Sequence, residues 1–126
     1  MYKVLIVDDS KLARMSVAKL LNGLRPAWSR DEAANADEAL ERVARTLPDI
    51  VLLDINMPGR DGLALAAELH AMHPDMPLAI ISANVQDEIM ARTREIGAAF
   101  LPKPLTEQGL ADFLATAKLR LRKAVK

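Results

Sequence analysis

Four short apolar runs punctuate the chain: "KVLIV" (3–7), "DIVLL" (49–53), "PLAIIS" (77–82) and "AAFL" (98–101). Acids, Pro or Gly bound each one. Continuous apolar runs of this length suit strands buried on both faces of a parallel sheet, because alternation appears only where one face meets water. Between the runs the apolar positions change to helical spacing. Ala13, Val17, Leu20, Leu21 and Leu24 follow Ser10, a good N-cap. Ala36, Ala39, Leu40, Val43, Ala44 and Leu47 repeat that spacing, as do Leu65, Ala66, Leu69 and Met72 after Asp61. Ile89, Thr93 and Ile96 sketch a weaker helix that ends at Gly97, a natural C′ residue. Thr106 caps a last helix reaching about Arg122, with Leu105 and Leu110 at the spacing of a hydrophobic staple.

The segment "AWSRDEAAN" (27–35) stands where a second strand is due. Its strand propensity is poor, which predicts an edge strand. Strand and helix thus alternate five times, which implies a parallel sheet with helices on both faces. Pro102 cannot donate to a ladder, so the fifth strand is also expected at an edge. The order 2-1-3-4-5 puts both weak strands at edges. The expected fold is α/β, a flavodoxin-like (βα)5 three-layer sandwich on a five-stranded parallel sheet.

Composition narrows the function classes. The 126 residues suit one domain, 1–126, with few residues left after the last helix for an output domain. Lys plus Arg equals Asp plus Glu, 17 each, which argues against a partner bound through nucleic-acid phosphates. The absence of cysteine excludes disulfides, thiol catalysis and Cys-based metal sites. The apolar run near the N-terminus is too short for a signal-peptide core or a membrane span, so a cytoplasmic protein is expected.

Ligands of open parallel sheets bind beyond the carboxyl ends of the strands, where the order reverses. The first strand ends in Asp8 and Asp9, the third in Asp54, the fourth in Ser82-Ala83-Asn84 and the fifth in Lys103-Pro104. Strands one and three are neighbours in this order, so the three acids are expected to crowd. Two carboxylates about 4 Å apart repel by roughly 4 kcal/mol at an effective dielectric near 20. Such a group raises its pKa values or takes up a cation, and hard oxygen donors without sulfur suit Mg²⁺, with Mn²⁺ as a substitute. Lys103 is placed to approach as a mobile point charge.

Each residue alone has a plainer reading. Asp8 and Asp9 read as helix-capping acids beside Ser10, Ser82 as a loop hydroxyl and Lys103 as a solvated lysine. His70 and His73 read as a surface helix end, the six methionines as core filler, and "KLRLRK" (118–123) as a solvated last turn matched to the helix dipole. What favours chemistry is coincidence, with polar functional groups ending four strands on one rim.

Five segments, "VLIVDDS" (4–10), "EAANADEAL" (32–40), "PDIVLLDINMPGRDG" (48–62), "PLAIISAN" (77–84) and "GAAFLPKPL" (97–105), together resemble the receiver domain of two-component response regulators. The resemblance implies that Asp54 is the phosphoacceptor, taking a phosphoryl group from a sensor histidine kinase or phosphotransfer protein. It implies that Asp8, Asp9, Asp54 and the backbone carbonyl of Asn56 hold Mg²⁺. Ser82 and Lys103 would bind the phosphoryl group, Phe100 would be the switch aromatic, and a cis bond would precede Pro104. Asn56 and Asn84 would tune dephosphorylation. The output face would be helix 4, strand 5 and helix 5, offered to a downstream protein by a monomer or weak dimer. Such a chain is a switch that catalyses only its own phosphorylation and slow dephosphorylation.

Three other readings are weaker. A haloacid-dehalogenase-type phosphatase needs a second Asp two residues after its nucleophile, a spacing that "DDSK" and "DINM" lack. A flavodoxin carrying FMN would set adjacent acids against the cofactor's phosphate. A phosphorylation-independent scaffold would have no use for the complete acid, Ser and Lys set.

Overall fold

The computed structural model describes residues 2–55 and 61–124. Strand and helix alternate along them: β1 (Lys3–Val7), α1 (Lys11–Leu24), β2 (Ser29–Ala33), α2 (Ala36–Arg45), β3 (Ile50–Asp54), α3 (Gly62–Met72), β4 (Leu78–Ser82), α4 (Asp87–Ile96), β5 (Ala99–Pro102) and α5 (Glu107–Ala124). The strands pair in parallel in the order β2-β1-β3-β4-β5. This is the flavodoxin-like order the two edge strands predict.

The central strands bury both faces, and their side chains divide between two cores. Leu5, Val7, Val51, Leu53, Leu78 and Ile80 pack with α2 and α3, with Ile89 and Ile96 of α4 at the margin. Val4, Ile6, Ile50, Leu52, Ala79 and Ile81 pack with α1 and α5. Each fully buried aliphatic side chain contributes about 1.5–3 kcal/mol relative to exposure. The continuous apolar runs therefore fix strand identity and helix placement together.

Side-chain caps set most helix starts. The Ser10 hydroxyl accepts the Ala13 amide at 3.2 Å, and Asp61 Oδ1 accepts the Leu63 amide at 2.9 Å. Thr106 Oγ1 accepts the Gly109 amide at 3.0 Å. At α2, Asn35 Oδ1 accepts the Glu38 amide at 2.8 Å while Glu38 Oε1 accepts the Ala34 amide at 3.1 Å. The two contacts hold the first turn as a capping box would, with Glu38 reaching one residue past the cap to Ala34. Helix α4 has no side-chain cap and buries only Thr93, but ends on Gly97 at φ 92°.

His70 departs from the expected surface helix end. Its ring lies against Gly97, close enough that an added Cβ there would meet Cε1 at 3.0 Å. Its Nδ1 is buried without a hydrogen-bond partner. The end of α3 packs against the end of α4, where Gly97, at φ 92°, leaves room for the imidazole.

Candidate phosphoacceptor and metal site

Parallel register brings the strand ends level. Val7 pairs with Leu53 and Asp54 with Ile81, so Asp8, Asp54 and Ser82 emerge side by side. Carboxylate oxygens of Asp8, Asp9 and Asp54 all lie within 4.8 Å of one another. Asp8 and Asp54 are buried, at 6% and 4% exposure, while Asp9 is exposed. Asp8 therefore has two roles at once: Oδ1 accepts the Ser10 amide at 2.9 Å, as a cap would, and the same carboxylate belongs to the cluster.

Lys103 reaches into this cluster. Its Nζ donates to Asp54 Oδ1 at 3.0 Å and lies 4.0 Å from Asp8 Oδ2. The Lys103 amide donates to the Ser82 carbonyl at 2.9 Å, and the Lys103–Pro104 peptide bond is cis. These contacts aim the long side chain across the rim.

Burial pushes the Asp8 carboxyl above its ordinary range. The Ser10 amide opposes that shift, the Asp54 charge adds to it, the Lys103 charge opposes it, and a hydrogen bond with Asp9 adds to it. One ammonium among three carboxylates leaves an excess of negative charge in a largely buried place. The donors are all oxygen, two held by strand ends and one open to solvent. That set fits a hard divalent cation, which takes few protein ligands and keeps several waters.

The remaining expected residues occupy distinct places. Ser82 is fully buried and its Oγ accepts the Asn84 amide at 3.0 Å. Asn84 is exposed, with Oδ1 accepting the Gln86 amide at 3.1 Å. Phe100 is half-buried on β5 and lines a small cavity of about 160 Å³ with Met90, Thr93 and Arg94. Asn56, expected both as a carbonyl ligand and as a tuning residue, lies outside the described residues.

Three further residues shape the site. A Cβ on Gly62 would sit 2.6 Å from the Asp54 carbonyl oxygen and from Ile55 Cα, so only glycine lets α3 start against the end of β3. The "DG" beside the strand-end acid is a signal for that approach. Arg14 Nη1 donates to the Asp8 carbonyl at 2.7 Å, and Arg14 Nε pairs with Glu32 at 2.9 Å. Nothing in the hydrophobic pattern singles out Arg14 or Glu32. The available signal is that side chains in the first turn of α1 point back toward its N-terminus, where β1 ends.

The family model described as "Response regulator receiver domain" matches residues 4–115. The chain is 42% identical over 118 residues to the positive alginate biosynthesis regulatory protein of Pseudomonas aeruginosa, covering 90% of this chain and 46% of that protein. It is 34% identical over 123 residues to the transcriptional regulatory protein PdtaR of Mycobacterium tuberculosis, covering 95% of this chain and 58% of that one. The chain thus spans about half the length of these curated relatives. Among solved structures, the chemotaxis protein CheY4 of Vibrio cholerae superposes with a TM-score of 0.83 at 26% identity, covering 93% of this chain and 98% of that one. Among the described residues no helix is long and apolar enough to cross a membrane. With its sheet order, its strand-end acids and a family match over nearly its whole length, the chain belongs to the receiver domains of two-component response regulators.

Proposed function

We propose that the chain is a phosphorylation-activated switch in which Asp54 accepts a phosphoryl group. One observation carries this reading: three carboxylates lie within 4.8 Å of one another, with the Lys103 ammonium on the middle strand's acid. The Asp54 carboxylate attacks the phosphorus of a phosphohistidine on a sensor kinase or phosphotransfer protein. An O–P bond forms, the N–P bond breaks, and the electron pair returns to the imidazole. Such a transfer needs little covalent help; it needs in-line positioning and neutralisation of the phosphoryl oxygens. Asp8, Asp9 and Asp54 would hold Mg²⁺, or Mn²⁺ in its place, and that ion would supply part of the neutralisation. Lys103 supplies the rest by moving its ammonium from Asp54 to a phosphoryl oxygen. Water later hydrolyses the acyl phosphate and returns the carboxylate.

The same mark shifts the fold's balance. Ser82 Oγ and Lys103 Nζ meet the Asn84 amide and Asp54 without the phosphoryl group and find its oxygens only when it is present, so the group favours the state in which both turn toward it. Turning the Ser82 hydroxyl toward a phosphoryl oxygen alters its contact with the Asn84 amide, which lies at the start of the loop into α4. Helix α4, with one buried residue and no side-chain cap, is the weakly held neighbour, and Phe100 packs beside it on β5. The α4–β5–α5 surface is therefore the output face for a downstream protein.

The test is an amide spectrum of the protein with Mg²⁺, recorded before and after adding phosphoramidate. Resonances of Ser82, Asn84, Phe100 and the start of α4 should move in the native chain and stay in Asp54→Asn. Movement of the same resonances in Asp54→Asn would refute Asp54 as the acceptor. A native spectrum that gains the acyl phosphate yet leaves α4 and β5 unmoved would refute the output face.

A further inference from the structure

We infer that Arg14 is a positioning residue for the cation, holding the Asp8–Asp9 turn in the shape that lets both acids converge; this rests on the receiver chemistry proposed above. Asp8 is tied down on three sides. Its amide donates to the Ala33 carbonyl at 3.1 Å, its carboxylate accepts the Ser10 amide at 2.9 Å, and its carbonyl accepts Arg14 Nη1 at 2.7 Å. The first two contacts place the Asp8 backbone and side chain. The third acts on the next residue, because the Asp8 carbonyl and the Asp9 amide share one rigid plane. Fixing that carbonyl fixes the direction in which the chain enters Asp9, the exposed member of the cluster.

The guanidinium is itself anchored. Its Nε pairs with Glu32 on β2, at 2.9 Å, and the Arg14 side chain is only 15% exposed. Glu32 stands opposite Ile6 in the parallel register, so its backbone is held by the sheet, while its side chain is 42% exposed. Arg14 thus spans from β2 to the β1–α1 turn and uses two edges of one planar fork to do so. An ammonium is a compact point donor without that fork and cannot reproduce both contacts in fixed geometry. The Arg14 contact is to the Asp8 backbone carbonyl, so the influence runs through the peptide plane. Partners one step removed from metal ligands typically change metal affinity by about 10–100-fold when removed. Arg14 acts on its acids through a peptide plane, so an effect near the lower end is expected.

The experiment is calorimetric titration of Mg²⁺ into the native chain, Arg14→Met, Arg14→Lys and Glu32→Gln at neutral pH, with melting temperatures recorded for each. Arg14→Met should bind Mg²⁺ about tenfold more weakly, and Arg14→Lys and Glu32→Gln should fall between it and the native chain. In the metal-free proteins the Ser10 amide should exchange faster in Arg14→Met than in the native chain. With a small phosphodonor, the Mg²⁺ concentration for half-maximal phosphorylation should rise while the maximal rate is kept. A merely structural strut would lower the melting temperature without that split. If Arg14→Met does not fold, Arg14→Lys and Glu32→Gln carry the comparison. Native-like Mg²⁺ affinity in every folded variant would overturn the inference. Failure of the native chain itself to bind Mg²⁺ would instead overturn the receiver reading beneath it.

Discussion

Asp8 carries a conflict that the rest of the site exists to relieve. Its carboxyl is buried beside Asp54, and burial holds its pKa above the ordinary carboxylate range. The folded protein therefore keeps a proton at pH values where the unfolded chain has lost it. Stability from this group is fullest below the ordinary carboxylate range and is lost as pH rises through the raised value. At neutral pH and without a divalent ion, the raised value makes Asp8 a net cost to the folded state. Asp8→Asn, which keeps an acceptor for the Ser10 amide, should melt a few degrees above the native chain in chelator at neutral pH. The gap should close toward acid pH. A lower melting temperature for Asp8→Asn at neutral pH would contradict this. Gly62→Ala should act in the opposite direction. Its Cβ meets backbone atoms 2.6 Å away, so overpacking should cost about 1–3 kcal/mol in urea unfolding and displace Asp54. The acids were legible in the sequence because a charge that ends an apolar strand has no packing role. Arg14 was not, because its partner Glu32 is 18 positions away and meets it only across the sheet edge.

Elements differ in how far their own residues specify them. The strands β1, β3 and β4 follow from their apolar runs, since any other placement would leave those runs in water. Strand β2, "SRDEA", does not follow from propensity. Its pairing with β1 supplies the backbone bonds, and its charges find partners: Asp31 meets Arg42 at 2.9 Å and Lys3 at 3.9 Å, and Glu32 meets Arg14. Tertiary contacts override local preference there, as edge strands permit. The Asn35 cap of α2 and its Glu38 stand at capping-box spacing, which hydrophobic periodicity alone passes over. Asn35→Ala should cost about 1 kcal/mol of stability in denaturant and leave phosphorylation at saturating Mg²⁺ unchanged. A loss of phosphorylation rate in that variant would mean α2 is coupled to the site.

At the scale of the whole molecule, the sheet separates chemistry from its opposite end. Trp28 stacks edge-on against Tyr2 with ring centroids 5.0 Å apart, and Arg25 lies 5.6 Å over its ring. Ser29 beside it pairs with Lys3, at the start of β1, whereas the acids follow the end of β1. Five residues of strand separate them, roughly 16 Å at the usual rise. Trp28 fluorescence should therefore stay constant through a Mg²⁺ titration, even as the melting temperature rises by mass action. A strong quench would mean that the cation is felt through the whole sheet. The sheet order was legible because two local oddities, a charged strand and a proline-ended strand, both required edges. The contact of His70 with Gly97 was not, because it depends on how two helices meet rather than on either one's pattern.

The central claim is that Asp54 takes the phosphoryl group. The direct test is intact mass after incubation with Mg²⁺ and acetyl phosphate, with Asp54→Asn run in parallel. The expected result is one added phosphoryl group on the native chain alone, absent when Mg²⁺ is chelated first. An equal adduct on Asp54→Asn, or none on the native chain under any condition, would contradict it.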